Sequence, residues 1–138
     1  MLKQVSIYTE NNKGKMRKIT EILAEKNINI LGSVTNDSAE YGIIRMIVSN
    51  PELTIEALTA AGYICKMTDV IGVEVTDEVG NLNKLLEALE YSNINVDYLY
   101  LSFNRITCMP IMVFHADCAH EVEECLRQKG FSISKGEN

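Results

Sequence analysis

The chain has 138 residues, 46% hydrophobic and 23% charged, a balance that fills a core and excludes a disordered polymer. A net charge of −6 and a pI near 4.9 oppose a surface built for phosphate backbones, so no nucleic-acid partner is expected. No apolar run reaches the roughly 18 residues that a bilayer span requires, so no membrane partner is expected either.

Met1–Tyr8 lack a charged segment followed by an apolar one, so no secretory signal is read there. Cys65, Cys108, Cys118 and Cys125 follow neither a disulfide nor a zinc-finger spacing. Both features predict a cytoplasmic protein with reduced thiols.

In chain order, Gln4–Thr9 alternate as a half-buried strand, with Val5 and Ile7 on one face. Gly14 marks a turn, and Met16, Ile19, Ile22 and Leu23 recur at helical spacing. Asn27 falls where that helix should end, because Asn tolerates the left-handed backbone of a helix terminus. Ile28–Thr35 read as extended, Asn36-Asp37-Ser38 as a turn, and Tyr41–Val48 as a returning strand that carries Arg45 among apolar residues. Asn50-Pro51 is a helix start, with a capping amide and a ring suited to the first helical position. Ile55 and Leu58 point that helix inward, Gly62 stops it, and Tyr63–Met67 form a fourth strand.

The order then recurs. Val70–Val75 are a strand, and Leu82, Leu85, Leu86 and Leu89 stripe a helix. Val96–Phe103 and Thr107–Phe114 are strands, Asp117 caps a helix carrying Val122 and Leu126, and Phe131–Ile133 close the unit. Pro110 inside a strand predicts a bulge or an edge. Leu99, Leu101 and Phe103 are expected to face the helices, and Tyr98 and Tyr100 an interface on the other side.

The recurrence is a duplication. A shift of 66 pairs Gly14 with Gly80, Lys18 with Lys84, Glu21 with Glu87, Leu23 with Leu89, and Asn27-Ile28-Asn29 with Asn93-Ile94-Asn95. A shift of 68 pairs Glu56, Leu58 and Gly62 with Glu124, Leu126 and Gly130, so the second copy holds two extra residues between the matched segments. Each copy reads βαββαβ, the ferredoxin-like order, giving an α+β fold of two units, residues 1–69 and 70–138. Units of this size bury only about 60% of their unfolded surface and are marginal alone, so pairing of units and of chains into a homodimer is expected.

The repeated strand, polar loop, glycine, helix and "INI" or "INV" segment resembles the ACT domain family across nearly the whole chain, twice over. It rests on Asn11-Asn12-Lys13-Gly14-Lys15-Met16 with Asn29-Ile30, and on Asp77-Glu78-Val79-Gly80-Asn81-Leu82 with Asn95-Val96. The family usually has Pro before the loop glycine, where this chain has Lys13 and Val79. The resemblance implies a non-catalytic sensor that binds an amino acid at an interface between ACT units. Glu10–Gly14 with Asn29 look most like the regulatory domain of phosphoglycerate dehydrogenase, which implies ligand contacts for Asn11 and Asn29. Thr9 stands where that domain carries a ligand-contacting histidine, so serine is not implied.

The candidate ligand residues are therefore Asn11, Asn12, Lys13, Gly14, Lys15, Met16, Asn29 and Ile30 in the first unit. In the second they are Asp77, Gly80, Asn81, Leu82, Asn95 and Val96. The chemistry suits a zwitterion, since amides donate to a carboxylate and accept from an ammonium, and a helix N-terminus favours the carboxylate. Lys13 and Lys15 add positive charge to the first loop, whereas Asp77 and Glu78 suit an ammonium and oppose a carboxylate, so the two sites are not equivalent. No phosphate loop, dinucleotide fingerprint or nucleophile–base pair is present, so neither an enzyme nor a cofactor is expected. Two other readings stand beside this one. The first is a protein-interaction module without ligand. The second is a metal-sensing regulator built on His115, Asp117, Cys118 and His120.

Overall fold

A computed structural model describes residues 1–10, 12–37 and 42–135. Asn11, Ser38, Tyr41 and the last three residues lie outside the described residues. The chain divides into two compact units, Lys3–Thr68 and, together with Met1–Leu2, Asp69–Asn138.

The first unit runs β1 (Leu2–Thr9), α1 (Lys15–Glu25), β2 (Ile30–Asp37), β3 (Gly42–Val48), α2 (Pro51–Ala60) and the start of β4 (Ile64–Glu74). β3 pairs antiparallel with both β1 and β2, and β4 neighbours β1 on its other side. In the second unit β4 continues into α3 (Asn81–Tyr91), β5 (Tyr98–Phe103), β6 (Pro110–His115), α4 (Ala119–Gln128) and β7 (Ser132–Ile133). There β6 pairs with β4 and β5, and β7 pairs with β4, all antiparallel. The expected Tyr63–Met67 and Val70–Val75 strands are thus one continuous strand, because Thr68 and Asp69 supply no turn.

The duplication extends into the cores. Val5, Ile7, Ile19, Leu23, Ile44, Met46, Val48 and Leu58 are buried in the first unit. At the shifts read from the sequence they become Ile71, Val73, Leu85, Leu89, Met112, Phe114, Ala116 and Leu126, all buried in the second. Each of these side chains apart from Ala116 contributes about 1.5–3 kcal/mol by leaving water. The two extra residues sit in the β5–β6 hairpin. Phe103 pairs with Pro110 across a connection of residues 104–109, whereas Asp37 pairs with Gly42 across 38–41.

The four helices among the described residues end the same way. After α1 the amide of Ile28 donates to the Leu23 carbonyl at 2.9 Å and that of Asn27 to the Ala24 carbonyl at 3.0 Å. Ile94, Tyr63 and Phe131 repeat the longer bond to Leu89, Leu58 and Leu126. The residue between is left-handed each time: Asn27 at φ 58°, Asn93 at 56°, Gly62 at 93° and Gly130 at 90°. Orphan carbonyls are satisfied while an apolar residue folds back onto the last turn.

Several local expectations are corrected. Asn36 and Asp37 extend β2 instead of turning, held opposite Ile43 and Gly42. β5 begins at Tyr98, not Val96, and β6 spans Pro110–His115, not Thr107–Phe114. Pro110 opens its strand with no bulge, where its missing N–H costs nothing and its carbonyl accepts from Val75 at 3.0 Å. The residue capping α4 is Cys118, left-handed at φ 56° and without a side-chain capping bond, not Asp117. Leu99 packs on the core as expected, but Leu101 and Phe103 are about half exposed at 48% and 51%, while Tyr100 is buried and stacks on Tyr98. Leu86 and Met16 are also partly exposed, at 40% and 38%, at the margin of their helix faces.

Candidate functional site

The described residues of the two strand-to-helix loops repeat the same backbone bonds. In the first, Asn12 N–H donates to the Glu10 carbonyl at 3.0 Å and Lys15 N–H to the Asn12 carbonyl at 3.2 Å. In the second, Glu78 N–H donates to Thr76 at 2.9 Å and Asn81 N–H to Glu78 at 3.3 Å. Gly14 and Gly80 cap α1 and α3 in the left-handed region at φ 84° and 91°, and neither helix has a side-chain capping bond. A Cβ built on either glycine meets nothing within 4 Å, so the backbone angle, not crowding, requires glycine there.

The side chains of the two loops diverge. Asn12 donates to the Glu10 carboxylate at 3.1 Å, and Lys13 and Gly14 are exposed. Asn81 turns inward and donates to the Thr76 carbonyl at 2.7 Å and its hydroxyl at 2.6 Å, while Asp77 and Gly80 stay exposed. Lys15 is half-buried, and Met16 and Leu82 are 38% and 39% exposed. Asn11 falls outside the described residues.

Asn29 and Ile30 sit at the other end of their unit. Thr9, just before the first loop, pairs with Gly42, whereas Ile30 pairs with Val48 at the far end of β3. At about 3.3 Å per residue that is a separation of roughly 20 Å. Asn29 is fastened there by Ser49: its N–H donates to the Ser49 hydroxyl at 2.9 Å, and Ser49 N–H donates to its carbonyl at 2.9 Å. In the second unit Val75 bonds to Pro110, while Asp97 bonds to His115 at the opposite end of β6. Asn95 and Val96 therefore lie away from Asp77–Leu82. Within a unit, loop and strand entrance are not brought together.

Concave surfaces lie at both ends. In the first unit a groove of about 740 Å³ runs between the start of α1 and the α2–β4 turn, and among the described residues Lys15 is the one predicted site residue that lines it. Lys18, Ile22 and Tyr63 also line it. The sequence signal was there, since Lys15, Lys18 and Ile22 recur at helical spacing, but their apposition to Tyr63 is tertiary. In the second unit a cavity of about 440 Å³ opens between the end of α3 and the start of α4, lined by Asn93, Asn95, Cys118, Glu121 and Cys125. A smaller one of about 310 Å³ borders Asn95 and Val96.

His115 Nδ1 lies 2.6 Å from Asp97 Oδ2, and its ring stacks on Tyr98 at 5.7 Å. His120 is exposed, and no group of three or more His, Cys, Asp and Glu able to hold a metal occurs among the described residues. All four cysteines are free thiols, and burial pushes the Cys65 thiol above its ordinary value. No described helix is long and apolar enough to cross a membrane.

Comparison with known proteins agrees with this architecture. A protein of Bacteroides thetaiotaomicron with a crystal structure shares 30% identity over 98% of this chain and 92% of its own, at a TM-score of 0.88. The ligand-free regulatory subunit of aspartate kinase from Thermus thermophilus shares the fold at a TM-score of 0.64, with 14% identity over 91% of each chain. The corresponding subunit from Thermus flavus does so at 0.58, again with 14% identity, over 91% of this chain and 90% of that one. No curated protein matches. The family model described as an ACT domain pair matches residues 1–138, and the chain belongs to that regulatory family.

Proposed function

We propose that the protein is a non-catalytic amino-acid sensor whose two ACT domains, residues 1–69 and 70–138, hold a ligand at an interface between ACT units. The left-handed glycine turn at the head of a helix, formed at Gly14 and again at Gly80, carries the reading. Each turn leads into a helix that has no side-chain cap, and the positive end of that helix favours a carboxylate. Asn29 and Asn95 lie at the other ends of their units, so a ligand touching a loop and such an asparagine joins two units, of one chain or of two.

Binding at such an interface stabilises one packing of the units over another, and that difference is the signal. The output passes to a protein partner, the working form is a homodimer, and the compartment is the cytoplasm. The acidic second loop and the lysine-bearing first loop make the two sites unequal.

Calorimetry of the protein against each of the twenty amino acids tests this. Binding by one or a few at micromolar to millimolar concentration, lost in Asn29→Ala or Asn95→Ala, is the expected outcome. No heat from any of them at millimolar concentration defeats it. A second reading, a protein-interaction module without ligand, is favoured by the exposed Leu101, Phe103 and Ile106, the last 82% exposed. It predicts a melting temperature unmoved by every amino acid.

A further inference from the structure

The first-unit groove has a chemistry that its counterpart lacks. Its floor is Ile22 and Tyr63, both packed on the core, and its rim carries Lys15, Arg17 and Lys18. Three cations within four positions stand out in a chain of net charge −6.

Two carboxylates, Glu10 and Glu21, line the groove as well, so its three cations leave a net charge of about +1. Glu21 holds Arg17 at 3.5 Å, and the Glu10 carboxylate accepts from Asn12. Among the described residues no ion pair is formed by Lys15 or Lys18. Both lie in the first turn or so of α1, an 11-residue helix with no acidic residue in its first turn and no side-chain cap. Two ammonium groups and the positive end of the helix dipole therefore face one concavity.

The duplication supplies an internal control. At the shift of 66, Lys15, Arg17 and Lys18 become Asn81, Asn83 and Lys84. Asn81 bonds back to Thr76, and Asn83 donates to Glu87 at 3.0 Å, so the polar groups there are spent on their own helix and loop. The two copies share the scaffold and differ in the charge it carries.

We infer that the groove of the first unit binds a compact dianion, a dicarboxylate or a phosphate group, through Lys15 and Lys18, one per chain. A lysine is a point charge with three donors and serves either oxyanion. The inference goes beyond the amino-acid reading and does not depend on it, although Lys15 is common to both.

Calorimetry on the whole chain with succinate, inorganic phosphate and neutral succinamide tests it. Succinate or phosphate should bind once per chain, at least about tenfold tighter than succinamide, and weaken as salt rises from about 20 to about 300 mM. Which of the two binds identifies the source. Lys18→Gln should weaken binding about tenfold and Lys15→Gln/Lys18→Gln further, whereas Lys84→Gln in the other unit should leave it unchanged. The inference is overturned if neither anion outbinds succinamide, or if Lys84→Gln costs as much as Lys18→Gln. An amino acid that binds while neither anion outbinds succinamide leaves the sensor standing and removes the anion site; anion binding without any amino-acid binding does the reverse.

Discussion

Asn29 and Ser49 bond each other twice, backbone to side chain in one direction and backbone to backbone in the other, both at 2.9 Å. The pair closes the end of the first unit where β2 begins and α2 is about to start. It holds the Asn29 backbone and leaves the side-chain amide to other partners.

Ser49→Ala removes the hydroxyl acceptor and leaves the ladder bond in place. A loss of about 0.5–1.5 kcal/mol in urea-induced unfolding is expected, with any ligand affinity that uses the Asn29 side chain reduced by loosened positioning. A loss near zero would mean that water replaces the hydroxyl at no cost.

The left-handed asparagines offer a paired test. Asn27→Ala and Asn93→Ala place a Cβ residue without a compensating amide at φ 58° and 56°, and each should cost about 1 kcal/mol. Asn27→Gly and Asn93→Gly should match or exceed the wild type, since glycine adopts this backbone without strain. Thermal melts of the four variants settle the order; alanine equal to glycine at either site would refute the account of how that helix ends.

Gly72 tests packing instead of backbone angle. A Cβ there would stand 2.5 Å from Leu2 Cδ1 and 3.0 Å from Ile111 Cγ2. Gly72→Ala should therefore destabilise by about 1–3 kcal/mol through overpacking. Because the nearest atom ends a flexible side chain, Gly72→Ala/Leu2→Ala should lose less than the two single variants together. Strict additivity in denaturant titrations would contradict the contact.

Burial raises the pKa of Cys65 by disfavouring its thiolate. The folded protein keeps that proton at a pH where the unfolded chain has lost it. The contribution to stability is full below the unfolded value of 9.0 and is lost as pH rises through the folded one. In limited labelling with a thiol reagent near neutral pH, Cys65 should be modified after the exposed Cys108 and Cys118, as mass spectrometry of the peptides would show. Equal rates at all three would mean that β4 opens readily.

Much of the fold was legible because two copies report on each other. The left-handed positions Asn27 and Asn93, the glycines that end α2 and α4, and the two matching cores all follow from the shifts of 66 and 68. Periodicity misjudged what depends on neighbours in space. Leu86 continues the helical stripe of Leu85 and Leu89, yet it lies at the edge of the covered face, where nothing overlies it fully. Asp117 has the composition of a cap, but the chain turns one residue later, at a cysteine whose left-handed backbone no propensity announces. For the candidate site, the glycine turns could be read directly. The groove could not, because it joins Lys15 to Tyr63 across most of the unit.

The hairpin of residues 104–109 shows where this scaffold accepts change. Asn104 accepts from the amides of Ile106 and Thr107 and, with the Thr107 hydroxyl, anchors on the Glu74 carboxylate, so the base of the hairpin is fixed independently of its tip. The two copies differ by two residues in this connection and keep the same strand register on either side. A fluorescent label on Cys108, or an epitope spliced beside Ile106, should report on the protein while leaving both cores as they are.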